Sequence, residues 1–268
     1  ARMACVISGY WSHMMGHAAH ALFPEQVGLS DLTERDFAVP QNLNDYDFVH
    51  VVANETLEGL SLPHPFCDHP RLIADITSDI GFRDMHLSHY GMVYGGLQKL
   101  IGVSGISVCV IARSLLSKCA DHLPMMQGYK EMVRYQSMQG TPNVFAWLSL
   151  GAMLRWMRRH GGLAQLSRRQ SQRAHQVRAC LAGISGLQYL APTPFLSGQN
   201  IAFTLGSDSR NKYFLDWAKD SGLLGLEGHA ARGGVRINLY HGVTDRALER
   251  LCEGITAFAK NAQEVGCA

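Results

Sequence analysis

The polarity pattern changes character near the middle of the chain. Up to about residue 140, short apolar runs alternate with polar or glycine-rich stretches: MACVIS (3–8), DFVHVVA (47–53), RLIADIT (71–77), MVYGG (92–96) and ISVCVIA (106–112). Runs of this length, rich in β-branched residues and bounded by turn formers, predict strands. Most of the gaps between them are long enough for a helix, and residues 10–22 carry helical periodicity directly after the first run. That alternation predicts a mainly parallel sheet covered on both faces.

From Pro142 the period lengthens. PNVFAWLSLGAMLRWMRRHG (142–161) predicts a helix with proline at its first position and a stop at Gly161-Gly162. A second helix is expected over 163–181, then strands at GLQYL (186–190), NIAFTLG (200–206) and GVRINLY (234–240), with helices over 210–222 and 244–260. The reading is an α/β protein with a large domain over 1–169 and a small α+β domain over 170–268.

Composition narrows the classes. The 268 residues are 47% hydrophobic and 17% charged, with a formal charge of +2, too weak a bias to predict nucleic acid or an acidic membrane as partner. Seven cysteines (Cys5, Cys67, Cys109, Cys119, Cys180, Cys252, Cys267) are odd in number and scattered, which suits reduced thiols in a cytoplasmic chain. No segment reads as a signal peptide, and no apolar run reaches the roughly 18 residues that a spanning helix needs. The chain enters a strand-like run almost at once, without an initiator methionine, and is expected to be incomplete at its N-terminus.

Two charged residues interrupt apolar runs. Lys99, in YGGLQKLIG (94–102), either extends its ammonium to water from a strand end or serves as a Schiff-base or phosphate-binding lysine. The absence of GxxxxGK[ST] argues against a nucleotide phosphate loop. Asp75, in RLIADITSD (71–79), is either a capping aspartate or a buried carboxylate that needs a cation or a donor cluster. Their separation of 24 residues fits the ends of consecutive strands, which in open α/β sheets border the ligand crevice. A lysine and a carboxylate at one crevice suit pyridoxal phosphate: the amine meets the aldehyde and the carboxylate keeps the pyridine nitrogen protonated.

The tracts VHVVANETLEG (49–59), ADITSD (74–79), HYGMVYGGLQKLIGVSGISVCVI (89–111), TPNVFAW (141–147) and LEGHAARGGVRINLYHGV (226–243) resemble, in order and spacing, the phosphoserine aminotransferases of class V. The resemblance implies the aspartate-aminotransferase-like fold (fold type I), pyridoxal 5'-phosphate as cofactor and a homodimer with shared active sites. It implies transfer of an amino group between L-glutamate and 3-phosphohydroxypyruvate, and the related phosphohydroxythreonine step of vitamin B6 synthesis. Lys99 would hold the cofactor covalently and move the proton; Asp75 would pair with the pyridinium. Trp11 would stack on the ring, Thr56 would bond near its phenolic oxygen, and Gln98 with Thr141 of the other subunit would hold its phosphate. Arg236 would clamp the substrate α-carboxylate and His229 would face the substrate phosphate.

The departures from that pattern are also specific. The family's N-terminal portion, with a phosphate-holding glycine turn and a His-Arg pair, has no counterpart here. Gly140 stands where asparagine is usual, and Ala230 where arginine is common, with Arg232 nearby. Two alternatives follow: another class V pyridoxal-phosphate enzyme, or a shortened, catalytically silent subunit that binds a partner.

Other signals carry less. His13, His17 and His20 share a helix face without a carboxylate or cysteine, so no metal is expected. His64, Cys67 and His69 fit no ligand spacing. Arg155, Arg158, Arg159, Arg168, Arg169, Arg173 and Arg178 are read as the solvated faces of two amphipathic helices rather than an RNA-binding stripe.

Overall fold

The computed structural model describes residues 1–124 and 127–264. In chain order the first elements are β1 (Met3–Ile7), α1 (Tyr10–Leu22), β2 (Val27–Asp31), β3 (Phe48–Val52), β4 (Asn54–Glu55), β5 (Leu60–Ser61), β6 (Leu72–Asp75), β7 (Met92–Gly96) and β8 (Ser107–Ile111). They are followed by α2 (Arg113–Leu116), α3 (Tyr129–Arg134), α4 (Val144–Arg159), α5 (Gly162–Leu181), β9 (Gln188–Tyr189), β10 (Asn200–Thr204), α6 (Asp208–Asp220), β11 (Val235–Asn238) and α7 (Asp245–Glu264). Two compact units divide them: Ala1–Ser8, Ser12–Ala53 and His64–Gly162 form the first, and Gly9–Trp11, Asn54–Pro63 and Leu163–Ala268 the second.

The first unit is built on a six-stranded sheet in the order β2-β1-β3-β6-β7-β8. Its pairs are parallel except the last, where β8 runs antiparallel to β7. The central strands are apolar because both faces are covered: Ala4–Ile7, Val49, Val51, Leu72, Ala74 and Val93 are all buried. β2 was not expected, since VGLSD is too polar to register as a buried run; it pairs only with β1, at a sheet edge.

α4 starts two residues later than proline-first reasoning predicts. The Asn143 side chain accepts a hydrogen bond from Ala146 N–H at 3.1 Å, so asparagine is the N-cap and Pro142 lies outside the helix. The helix also leaves an apolar stripe uncovered: Val144, Phe145, Trp147, Leu148 and Leu154 are exposed, and only Ala146 and Met157 are buried.

The second unit packs α5, α6 and α7 with a three-stranded antiparallel sheet ordered β11-β10-β9. Phe214 of α6 lies edge-on to Phe203 of β10 at 5.9 Å and to Phe258 of α7 at 4.9 Å between ring centroids. Arg169 pairs with Asp245 at 2.6 Å, and two further arginines expected on a solvated face are also engaged. Arg173 is buried and donates to Val243 O at 2.8 Å and Asp245 Oδ1 at 2.5 Å, and Arg178 donates to Ser197 O. The α5 helix therefore presents part of its polar face to loop carbonyls and the start of α7, where a guanidinium satisfies acceptors that water would otherwise take.

Among the described residues no helix is long and apolar enough to cross a membrane, and no cluster of three or more His, Cys, Asp or Glu side chains could hold a metal ion. The six described cysteines are free thiols; Cys267 lies outside the described residues.

Candidate cofactor and substrate site

In the first unit, Asp75 ends β6 and is the register partner of Tyr94 on the adjacent parallel strand β7. Lys99 and Gln98 follow three and two residues after β7 ends at Gly96, in a turn anchored by the buried Leu97 and Leu100. Lys99 is half-buried and Gln98 exposed. The strand order thus brings Asp75 and the Gln98-Lys99 turn to neighbouring strand ends on the same edge of the sheet. Thr141 sits in an exposed segment just before the Asn143 cap of α4.

Burial raises the Asp75 carboxyl above its ordinary range, an effect partly offset by hydrogen bonds from Thr77. The Thr77 backbone N–H donates to Asp75 Oδ1 at 2.8 Å, and its hydroxyl accepts from Gly96 N–H at 3.2 Å. A Cβ at Gly95 would lie 2.8 Å from Thr77 N, so only glycine lets the two strand ends approach this closely. Among the described residues Asp75 has no ion-pair partner. A desolvated carboxylate with donors on one side and no cation fits a group that brings a protonated ring nitrogen.

Behind Asp75 stands a pair that sequence reasoning did not single out. His50 is buried on β3, and its Nε2 bonds the Tyr94 hydroxyl at 2.8 Å. Burial lowers the imidazole to about 4. Burial first, and the Asp75 charge second, raise the Tyr94 phenol. Both rings therefore stay neutral near pH 7. Thr77 had a usable signal, a hydroxyl residue two places after an aspartate at a strand end, which favours a local side-chain-to-backbone bond; a histidine inside FVHVV had none.

The second unit holds Trp11, Thr56, His229 and Arg236. The indole Nε1–H of Trp11 donates to Thr56 Oγ1 at 3.0 Å, and the ring is 40% exposed while Thr56 is buried. The His229 ring lies 6.3 Å from that of Trp11 and 5.6 Å from that of Tyr10. Arg236, on β11, has a buried Nε without a hydrogen-bond partner among the described residues. Arg232 does not stand free: its Nε donates to Glu58 Oε1 at 2.6 Å.

Residues 39–251 match the family described as Aminotransferase class-V. The chain belongs to this family. It is 30% identical over 266 residues to the phosphoserine aminotransferase of Haemophilus ducreyi, a match that spans 95% of this chain and 73% of the relative. The solved phosphoserine aminotransferase of Bacillus circulans subsp. alkalophilus superposes with a TM-score of 0.88 at 26% identity, over 97% of this chain and 74% of that one. The pyridoxal-phosphate-bound phosphoserine aminotransferase of Trichomonas vaginalis has a TM-score of 0.83 at 21% identity, over 95% of this chain and 75% of that one. The α/β fold with a mostly parallel sheet is that of the fold type I aminotransferases, and pyridoxal phosphate is the cofactor of this class V aminotransferase.

Proposed function

We propose that the chain is a phosphoserine aminotransferase, exchanging an amino group between L-glutamate and 3-phosphohydroxypyruvate to give O-phospho-L-serine and 2-oxoglutarate, with the phosphohydroxythreonine pair of vitamin B6 synthesis as a related substrate. The observation that carries this reading is the desolvated Asp75, without an ion-pair partner among the described residues, at the strand end beside the Lys99 turn, in a chain with phosphoserine aminotransferase relatives.

Bound pyridoxal phosphate supplies an aldehyde and a protonated ring that withdraws electrons. Asp75 would hold the proton on the ring nitrogen, and the Thr77 backbone N–H keeps that carboxylate aimed. Lys99 would hold the cofactor covalently through Nζ and would move the proton at the substrate α-carbon. The hydroxyl of Thr56 accepts from Trp11, which leaves its own O–H to donate to the phenolic oxygen of the ring. Trp11 would stack on the ring, and Gln98 with Thr141 of the other subunit would hold its phosphate. Arg236 takes the substrate α-carboxylate with its planar fork, and His229 faces the substrate phosphate.

The working form is proposed to be a homodimer in the cytoplasm. The uncovered apolar stripe of α4 supports the first, because contiguous exposed apolar side chains mark interaction surfaces. The free thiols support the second.

The test is borohydride reduction of the chain with pyridoxal phosphate, followed by peptide mapping and an assay of amino transfer from glutamate. The expected result is a cofactor adduct on Lys99 and phosphoserine formation, both lost in Lys99→Ala. Undiminished transfer by that variant overturns the assignment.

A further inference from the structure

The first turn of α1 is capped from a distance. Gly9 precedes the helix and has no side chain to offer to the N–H groups of Tyr10 and Trp11. Two buried carboxylates take them: Glu58 Oε1 accepts from Tyr10 N–H at 3.0 Å and Glu55 Oε2 from Trp11 N–H at 2.9 Å. Negative charge at a helix N-terminus is favourable. A Cβ at Gly9 would sit 2.8 Å from Glu55 Cγ and 2.8 Å from Glu58 Oε2, so the close approach of both carboxylates requires glycine there.

Both acids come from one short hairpin. β4 ends at Glu55, and Thr56 and Glu58 lie in the turn that leads to β5. Glu55 therefore grips the Trp11 backbone while the neighbouring Thr56 grips the indole N–H, two hydrogen bonds that together restrict rotation of the ring. Glu58 holds the preceding residue and shares the same oxygen with the Arg232 guanidinium at 2.6 Å, which compensates part of the buried charge.

We propose that Glu55 and Glu58 are positioning residues that aim the Trp11 indole, with Arg232 acting through Glu58 rather than as a free anion-binding group. The proposal rests on the reading of Trp11 as the side chain that stacks on the cofactor ring. A cap needed only for helix stability would leave the spectrum of the bound cofactor unchanged; a clamp on the indole alters it.

The experiment compares Glu55→Gln, Glu58→Gln, Arg232→Gln and Trp11→Phe with the parent, each loaded with pyridoxal phosphate. The readouts are the cofactor dissociation constant, the visible ellipticity of the bound cofactor per unit absorbance, and the melting temperature. Trp11→Phe is expected to change the first two. Glu55→Gln and Glu58→Gln are expected to weaken cofactor binding about tenfold and to reduce the normalised ellipticity, with a smaller change of the same sign in Arg232→Gln. Folded glutamine variants with parental constants and ellipticity, beside an altered Trp11→Phe, overturn the positioning role. A parental Trp11→Phe overturns the stacking reading instead. Should the buried substitutions prevent folding, Arg232→Gln decides, because that side chain is partly exposed; parental values for it overturn the proposal.

Discussion

Thr77 donates its backbone N–H to Asp75 at 2.8 Å, and no cation among the described residues answers the carboxylate. Its folded-state pKa is raised above the ordinary 3.8, chiefly by burial. The stability linked to this group is therefore complete below 3.8 and is lost as pH rises through the raised value. Without cofactor, Asp75→Asn is expected to melt above the parent at pH 7, and the difference is expected to shrink as the buffer approaches pH 3.8. With pyridoxal phosphate bound the order is expected to reverse. Thermal melts of both proteins across pH, with and without cofactor, check this.

His50 has the opposite sign. Its pKa falls from 6.5 to about 4, so between those values the folded chain binds fewer protons than the unfolded one. Stability is present above pH 6.5 and falls as the pH drops towards 4, at up to about 1.4 kcal/mol per pH unit. Denaturant titrations of parent and His50→Gln at several pH values are expected to show a shallower slope in the variant.

A fully buried Asp79 is held below its ordinary range despite its burial, by hydrogen bonds from His64 and Arg83 and by the Arg83 charge. Arg83 contacts both of its oxygens, at 2.9 Å to Oδ1 and 2.7 Å to Oδ2. Arg83→Ala leaves a buried carboxylate short of its cation and is expected to cost about 3–5 kcal/mol. Arg83→Lys is expected to recover part of that, read as a shift in the urea midpoint.

Phe145 and Leu148 stand 72% and 67% exposed on α4. If that stripe is the surface between two copies, Leu148→Asp shifts the chain from dimer to monomer in sedimentation velocity, and amino transfer is expected to fall with it if, as proposed, Thr141 holds the cofactor of the other subunit. A dimer that survives this substitution places the interface elsewhere.

The elements were legible because their signals are local. Alternation of apolar runs with turn residues marks β1, β3, β6, β7 and β8, and the 3.6-residue period marks α4 to α7. The half-polar edge strand β2 and the two-residue strands β4 and β5 left no such mark. Asp75 and Lys99 stood out for the same local reason, as charges interrupting apolar sequence, although nothing local told their alternatives apart.

What the sequence by itself determined was therefore the longer strands and helices, the class of fold and the two charged residues that do not belong in apolar runs. Only the tertiary structure decided which partners those and other polar residues meet. Glu55 and Glu58 are unremarkable in ANETLEG until the fold brings them to N–H groups 44 and 48 residues away, and Arg232 reaches Glu58 across 174 residues. A hydrogen bond or ion pair depends on separations of a few ångströms in space, and chain separation does not encode them.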